Sequence, residues 1–202
     1  YIPVKLNVYY DESFVQINKN IYPALTDSTA CYNRIAALVN PVCNMYRQRF
    51  GIDMYINYVY QTTTSIDSCV NSNDFDEICD EYSNCSNHHT NVYEVFDSVP
   101  NGNHQTAINV FFTGHATCAY DAETGGCRED IIHGMANPND CKAAIFKTTI
   151  SNTSNDAYIR MVIAHELGHL YGTPDHYEND EQGQNTQCIW GVGNDATYIY
   201  EN

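Results

Sequence analysis

The sequence predicts a mixed α/β domain: a sheet of several strands packed on two long helices, with a short C-terminal part. Three observations predict it. Near the N-terminus a Val- and Tyr-rich run is followed by apolar residues at helical spacing, and then by strict apolar/polar alternation. Farther on, the runs 107–112 and 143–150 have the length and composition of strands. Near 158–170 the helical spacing returns and stops at a glycine. A chain of 202 residues, 43% hydrophobic and 12% aromatic, suits one sizeable domain with its own core.

Val4 to Tyr10 reads as the first strand. Thr26 or Asp27 can cap a helix running toward Phe50, because Ile35, Leu38, Val39, Val42, Met45 and Tyr46 keep helical spacing. Pro41 has no N–H to give, so the pattern allows one kinked helix or two segments. Gly51 punctuates. Ile52, Met54, Ile56, Tyr58 and Tyr60 then alternate with polar residues, which marks a half-buried strand. From Thr62 to Asn103 the pattern fades into polar residues and cysteines, with room for a short helix near Asp76 to Tyr82; this reads as an insertion. Ala107 to Phe112 is a buried strand, Gly125–Gly126 a turn, His133 a loop histidine, and Ala143 to Ile150 the last strand. Ser151 to Asp156 is rich in cap residues. After it, Tyr158, Ile159, Val162, Ile163, Leu167 and Leu170 form the core face of a second helix.

That helix carries the chemistry. Its end and the turn after it read HELGHLYGTPDH, from His165 to His176. His165 and His169 stand four apart, one turn on one helix face, so both imidazoles can reach a single metal ion. Glu166 follows the first histidine and can hold a water beside that ion as general base. Gly172 is a helix stop that accepts a left-handed backbone, and Pro174 keeps the helix from resuming. The chain can then return Asp175 or His176 toward the metal.

These residues resemble a family. HExxHxxGxx(H/D), here His165, Glu166, His169, Gly172 and Asp175, is the signature of the metzincin zinc peptidases. The order Asp175–His176, within Gly-Thr-Pro-Asp-His-Tyr, is similar to the snapalysin branch; length and cysteine content look more like the reprolysin (adamalysin) branch. The resemblance implies a twisted, mostly parallel sheet with an antiparallel edge strand. It implies a cleft between an upper part, residues 1–171, and a lower part, 172–202. It implies one catalytic zinc on His165, His169 and Asp175, with Glu166 as general base. His115, Ala116, Thr117, Cys118 and Ala119 would be the rim strand that pairs with extended protein or peptide substrate. Cys188–Ile189–Trp190–Gly191 falls where the family places a methionine turn, with Trp190 in the methionine's place. The expected activity is that of a secreted zinc endopeptidase. A zinc-binding interaction protein on the same scaffold is the alternative, which the missing methionine favours and the intact Glu166 opposes.

Composition bounds the rest. Nine Lys and Arg against 25 Asp and Glu leave a net charge of −16, which argues against nucleic acid or an anionic membrane as partner. No apolar run approaches the ~18 residues of a membrane span. No leader opens the chain, so a leader and an N-terminal pro-segment are expected to lie outside this sequence. The acids of Asp74 to Glu81 could hold a calcium ion, though a solvated loop is the commoner outcome. His88 and His89 read as exposed loop residues. Nine cysteines without a CxxC pair point to an oxidising compartment and disulfide staples, with Cys188 expected to join Cys141. Asn152 and, more weakly, Asn84 sit in glycosylation sequons.

Overall fold

Central strands that bury apolar side chains on both faces set the layers of this protein, seen here in a computed structural model. The structure describes residues 1–21, 23–24, 26–62, 70–71, 90–91, 96, 99–103, 105–115, 117–121, 126–129, 133–146, 156–173, 177–179 and 185–187. The main sheet has five strands: β1 (Ile2–Tyr10), β2 (Ile52–Gln61), β5 (Ala107–Phe112), β8 (Gly134–Asn137) and β9 (Lys142–Ile145). Their order is β2-β1-β5-β9-β8, all parallel except β8, which runs antiparallel to β9 at one edge.

Three helices are described: α1 (Glu12–Ile21), α2 (Asp27–Phe50) and α3 (Asp156–Leu170). Alternation along the strands assigns the faces. Val4, Leu6 and Val8 of β1, with Ile108, Val110 and Phe112 of β5, pack against Ile35, Leu38 and Val42 of α2 and Ile159, Val162 and Leu167 of α3. Tyr9, Phe111, Ala144 and Phe146 form a smaller cluster with Phe96 and Val99. Burial on both faces explains why β5 is apolar apart from the buried Asn109, whereas β2, at an edge, alternates.

The expected sheet, with its parallel strands, antiparallel edge and two long helices, is present. Its details differ in four places. Helix α1 follows directly on β1 because Asp11 caps it, accepting the Phe14 N–H at 2.9 Å. Pro41 does not divide α2, which runs unbroken for 24 residues and ends at Gly51, a left-handed residue with φ 71°. The proline leaves the carbonyl four residues back, on Ala37, without its helical donor. Arg160 of α3 supplies donors instead, from Nε at 3.3 Å and Nη2 at 3.1 Å. The last strand ends at Ile145 rather than Ile150, as far as residues are described.

The fourth difference concerns the rim strand. Residues 117–119 lie in β6 (Thr117–Asp121), which pairs on both sides, with β3 (Val70–Asn71) and with β7 (Gly126–Glu129). β3 also pairs with β4 (Thr90–Asn91), so β6 is an inner strand of a second sheet. The antiparallel edge of the main sheet is β8, reached through a tight Pro138–Asp140 turn. There Asn137 Nδ2 donates to Asp140 Oδ2 at 3.0 Å, and Cys141 takes a left-handed φ of 54°. Near the C-terminus β10 (Tyr177–Asn179) and β11 (Asn185–Gln187) form an antiparallel pair.

The staple reading fails for two cysteines. Cys31 and Cys43 are free thiols on the buried face of α2, where they pack as small apolar groups. Cys141 is buried and turns its thiol toward the Pro138 carbonyl, 3.8 Å away, while Cys188 lies outside the described residues.

Candidate active site

Helix α3 is tied to α2 along its length. At its first residue Asp156 accepts a 2.7 Å hydrogen bond from Nη1 of the buried Arg34. One turn on, Arg160 reaches the Ala37 carbonyl. Beside the histidines the buried Tyr46 hydroxyl donates to the Ala164 carbonyl at 2.8 Å. Burial pushes the Tyr46 phenol well above its ordinary pKa, so it remains a donor across the working pH range. The other side of the helix rests on β8 and β9.

His165 and His169 face one point. Their Nε2 atoms lie 2.9 Å apart, and the rings meet edge to face at 83°. His169 Nδ1 is 2.7 Å from the Thr173 carbonyl, which can only accept. The proton of a neutral His169 therefore sits on Nδ1, and its Nε2 carries a lone pair directed at His165. This is the tautomer that a metal ligand needs, fixed by a second hydrogen bond.

The turn after the helix creates that acceptor. Gly172, at φ 81°, donates its N–H to the His169 carbonyl at 2.9 Å, and Thr173 N–H donates to the Gly168 carbonyl at 3.2 Å. The paired 5→2 and 6→1 bonds form a Schellman stop. Folding back in this way lays the Thr173 carbonyl against the His169 ring. One glycine thus both ends the helix and orients the His169 ring.

Glu166 is buried, with 6% of its surface exposed, and its side chain lies against the start of β8 at Gly134. Two imidazole nitrogens converging beside a buried carboxylate suit zinc, which takes nitrogen and oxygen ligands. Among the described residues no group of three metal-binding side chains assembles; Asp175 and His176, the candidates for a third ligand, lie outside them.

A profile of metallo-peptidase family M12, of reprolysin type, matches residues 3–199. The chain belongs to metallo-peptidase family M12. The match spans nearly the whole chain and includes the histidine helix, the β8–β9 edge and the C-terminal part. Among solved structures, a zinc-dependent peptidase from Methanocorpusculum labreanum is similar, at 10% identity and a TM-score of 0.38. The match covers 90% of this chain and 88% of that one. No curated protein matches.

Within this M12 chain the expected residues separate into four groups, one of them Thr117, Cys118 and Ala119 in the inner strand β6. His165, Glu166 and His169 lie together on α3. His115, expected on a substrate rim, instead has Nε2 3.7 Å from Asp11 Oδ2, and its N–H donates to Thr113 Oγ1 at 3.1 Å. Thr113 Oγ1 and Ser13 Oγ each donate to the same Asp11 carboxylate at 2.6 Å, so His115 belongs to the network that ties α1 to the end of β5. Asp175, His176, Cys188, Trp190, Ala116, His88, His89, both sequons and the Asp74–Glu81 run lie outside the described residues. The sequence reading missed Thr173, Gly134 and the edge strand β8. The Asn-Pro-Asn-Asp turn between Gly134–Asn137 and Lys142–Ile145 was the signal for that strand.

Proposed function

We propose that this M12 chain is a zinc-dependent endopeptidase that acts outside the cell and hydrolyses bonds within extended peptides. The observation that carries the reading is the His165–His169 pair, with Nε2 atoms 2.9 Å apart and the His169 tautomer held by Thr173. His165, His169 and Asp175 would hold the metal. Bound zinc supplies Lewis acidity toward the scissile carbonyl and lowers the pKa of water to about 7.

The chain's own groups do the rest. Glu166 takes a proton from the attacking water on its carboxylate and passes it to the leaving amine nitrogen. Its burial keeps bulk water from competing for that proton. Strand β8, an outer strand of the main sheet among the described residues, offers backbone N–H and C=O groups on which an extended peptide can add as a further strand. The extracellular location rests on the nine cysteines and the Asn152 sequon.

Glu166→Ala should retain one zinc per chain and lose turnover by about 10²–10⁴-fold. Loss of zinc in that variant, with the parent still loaded, would show that Glu166 is a ligand and not the base. Asp175→Ala should lose most of the zinc affinity while His176→Ala keeps it; the reverse result would make His176 the ligand. A loaded protein that cleaves no member of a peptide library would favour the interaction-protein alternative.

A further inference from the structure

We propose that Gly134 is a positioning residue for Glu166: the missing side chain at the start of β8 leaves the space in which the Glu166 carboxylate lies. A Cβ on Gly134 would stand 2.6 Å from Glu166 Cγ, 2.7 Å from Oε1 and 2.9 Å from Cδ. Carbon atoms in good contact keep ~3.5–4.0 Å. The overlap would not be confined to the flexible tip. Cγ is one bond from Cβ and moves only when χ1 turns. In a helix interior χ1 has two open wells, so displacing Cγ switches the rotamer and carries the carboxylate to a different place. Glu166 is itself buried on a helix whose neighbouring positions Val162, Ile163 and Leu167 are buried too, and a close-packed interior leaves little room for a smaller adjustment.

Strand β8 cannot readily retreat either. Gly134 is paired with Ile145 in the β8–β9 ladder, and the neighbouring His133 carbonyl accepts the Phe146 N–H at 3.1 Å. Backbone conformation does not demand glycine here, since the described glycines with positive φ are Gly51 and Gly172. Any cost of a side chain at 134 is therefore steric, and it falls on Glu166. Two other glycines fill backbone roles by contrast. A Cβ at Gly102 would meet the Cys141 carbonyl at 2.6 Å, and one at Gly114 would run into the Ser13 carbonyl.

The catalytic consequence rests on the proposed role of Glu166; the steric coupling does not. Gly134→Ala should lower kcat at least tenfold, change KM less than about threefold, and leave zinc at one per chain. It should also lower Tm by about 2–12 °C, the range expected for overpacking in a domain of this size. In the Glu166→Ala background the same substitution should cost less than about 1 °C, because the opposing atoms are gone. An equal Tm loss in both backgrounds, or an unchanged kcat, would overturn the proposal. If Gly134→Ala alone does not fold, folding of the double variant upholds the coupling and failure of both refutes it. If the parent protein proves to have no peptidase activity, the Tm cycle still decides the positioning, and only the proposed function falls.

Discussion

At the scale of single residues, the orientation of His169, a ligand in the proposed site, depends on a backbone conformation three positions away. Gly172 holds a left-handed φ of 81°, which a Cβ opposes by roughly 1–2 kcal/mol. Substituting it should loosen the Thr173 carbonyl from His169 Nδ1, since both belong to one turn. Gly172→Ala is expected to lower stability by about 1 kcal/mol and zinc affinity by about 10–100-fold, the usual effect of losing an outer hydrogen bond to a metal ligand. Competition with a chromogenic chelator measures it, and an unchanged zinc affinity would mean that Thr173 does not orient the ring. His165, Glu166, His169 and Gly172 were legible in the sequence because helix period and helix stop are local properties. Thr173 acts through its carbonyl, which every residue has, so no residue type could announce it.

At the scale of elements, α2 and α3 are coupled by a donor that one of them lacks. Pro41 releases the Ala37 carbonyl, and Arg160 takes it up. Arg160→Ala should destabilise the protein by about 1 kcal/mol. In a Pro41→Ala background the helix regains its own N–H donor, so the same change should cost a few tenths at most. Urea unfolding of the four proteins gives the coupling energy, and additive losses would contradict the link. Tyr46→Phe should likewise cost about 1 kcal/mol, by removing the donor to Ala164 next to His165. The proline was visible in the sequence as a break. Its actual effect needed Arg160, which lies 123 positions along the chain from the Ala37 carbonyl it binds. Helix α1 went unread although Asp11 and Phe14 signal its start, and β8 went unread because Gly-Met-Ala-Asn has low strand propensity.

At the scale of the whole molecule, burial of thiols sets an alkaline limit. Burial, aided by the nearby acids Asp27 and Glu12, pushes the Cys31 thiol from 9.0 up to about 12, and burial does the same for Cys43. The folded state thus keeps protons that the unfolded chain gives up above about pH 9. Their contribution to stability is complete below pH 9 and falls as pH rises from 9 toward 12. Urea midpoints should decline across that window, and less steeply in a Cys31→Ala/Cys43→Ala variant. An identical alkaline slope in both proteins would refute the assignment. Both thiols should also resist alkylation in the native protein and react on unfolding.

What the sequence determined by itself was whatever depends on residues close in the chain: the periods of α2, α3 and β2, the histidine pair, the glycine stop and the apolar runs that become central strands. Only the tertiary structure decided which strand forms the edge beside α3, that His115 turns to Asp11, that Cys31 and Cys43 remain thiols, and that Gly134 lies against Glu166. The reason is physical. Strand pairing, burial and van der Waals overlap are set by neighbours brought together across the sheet, and a glycine or cysteine in the sequence gives no sign of which side chain it will meet.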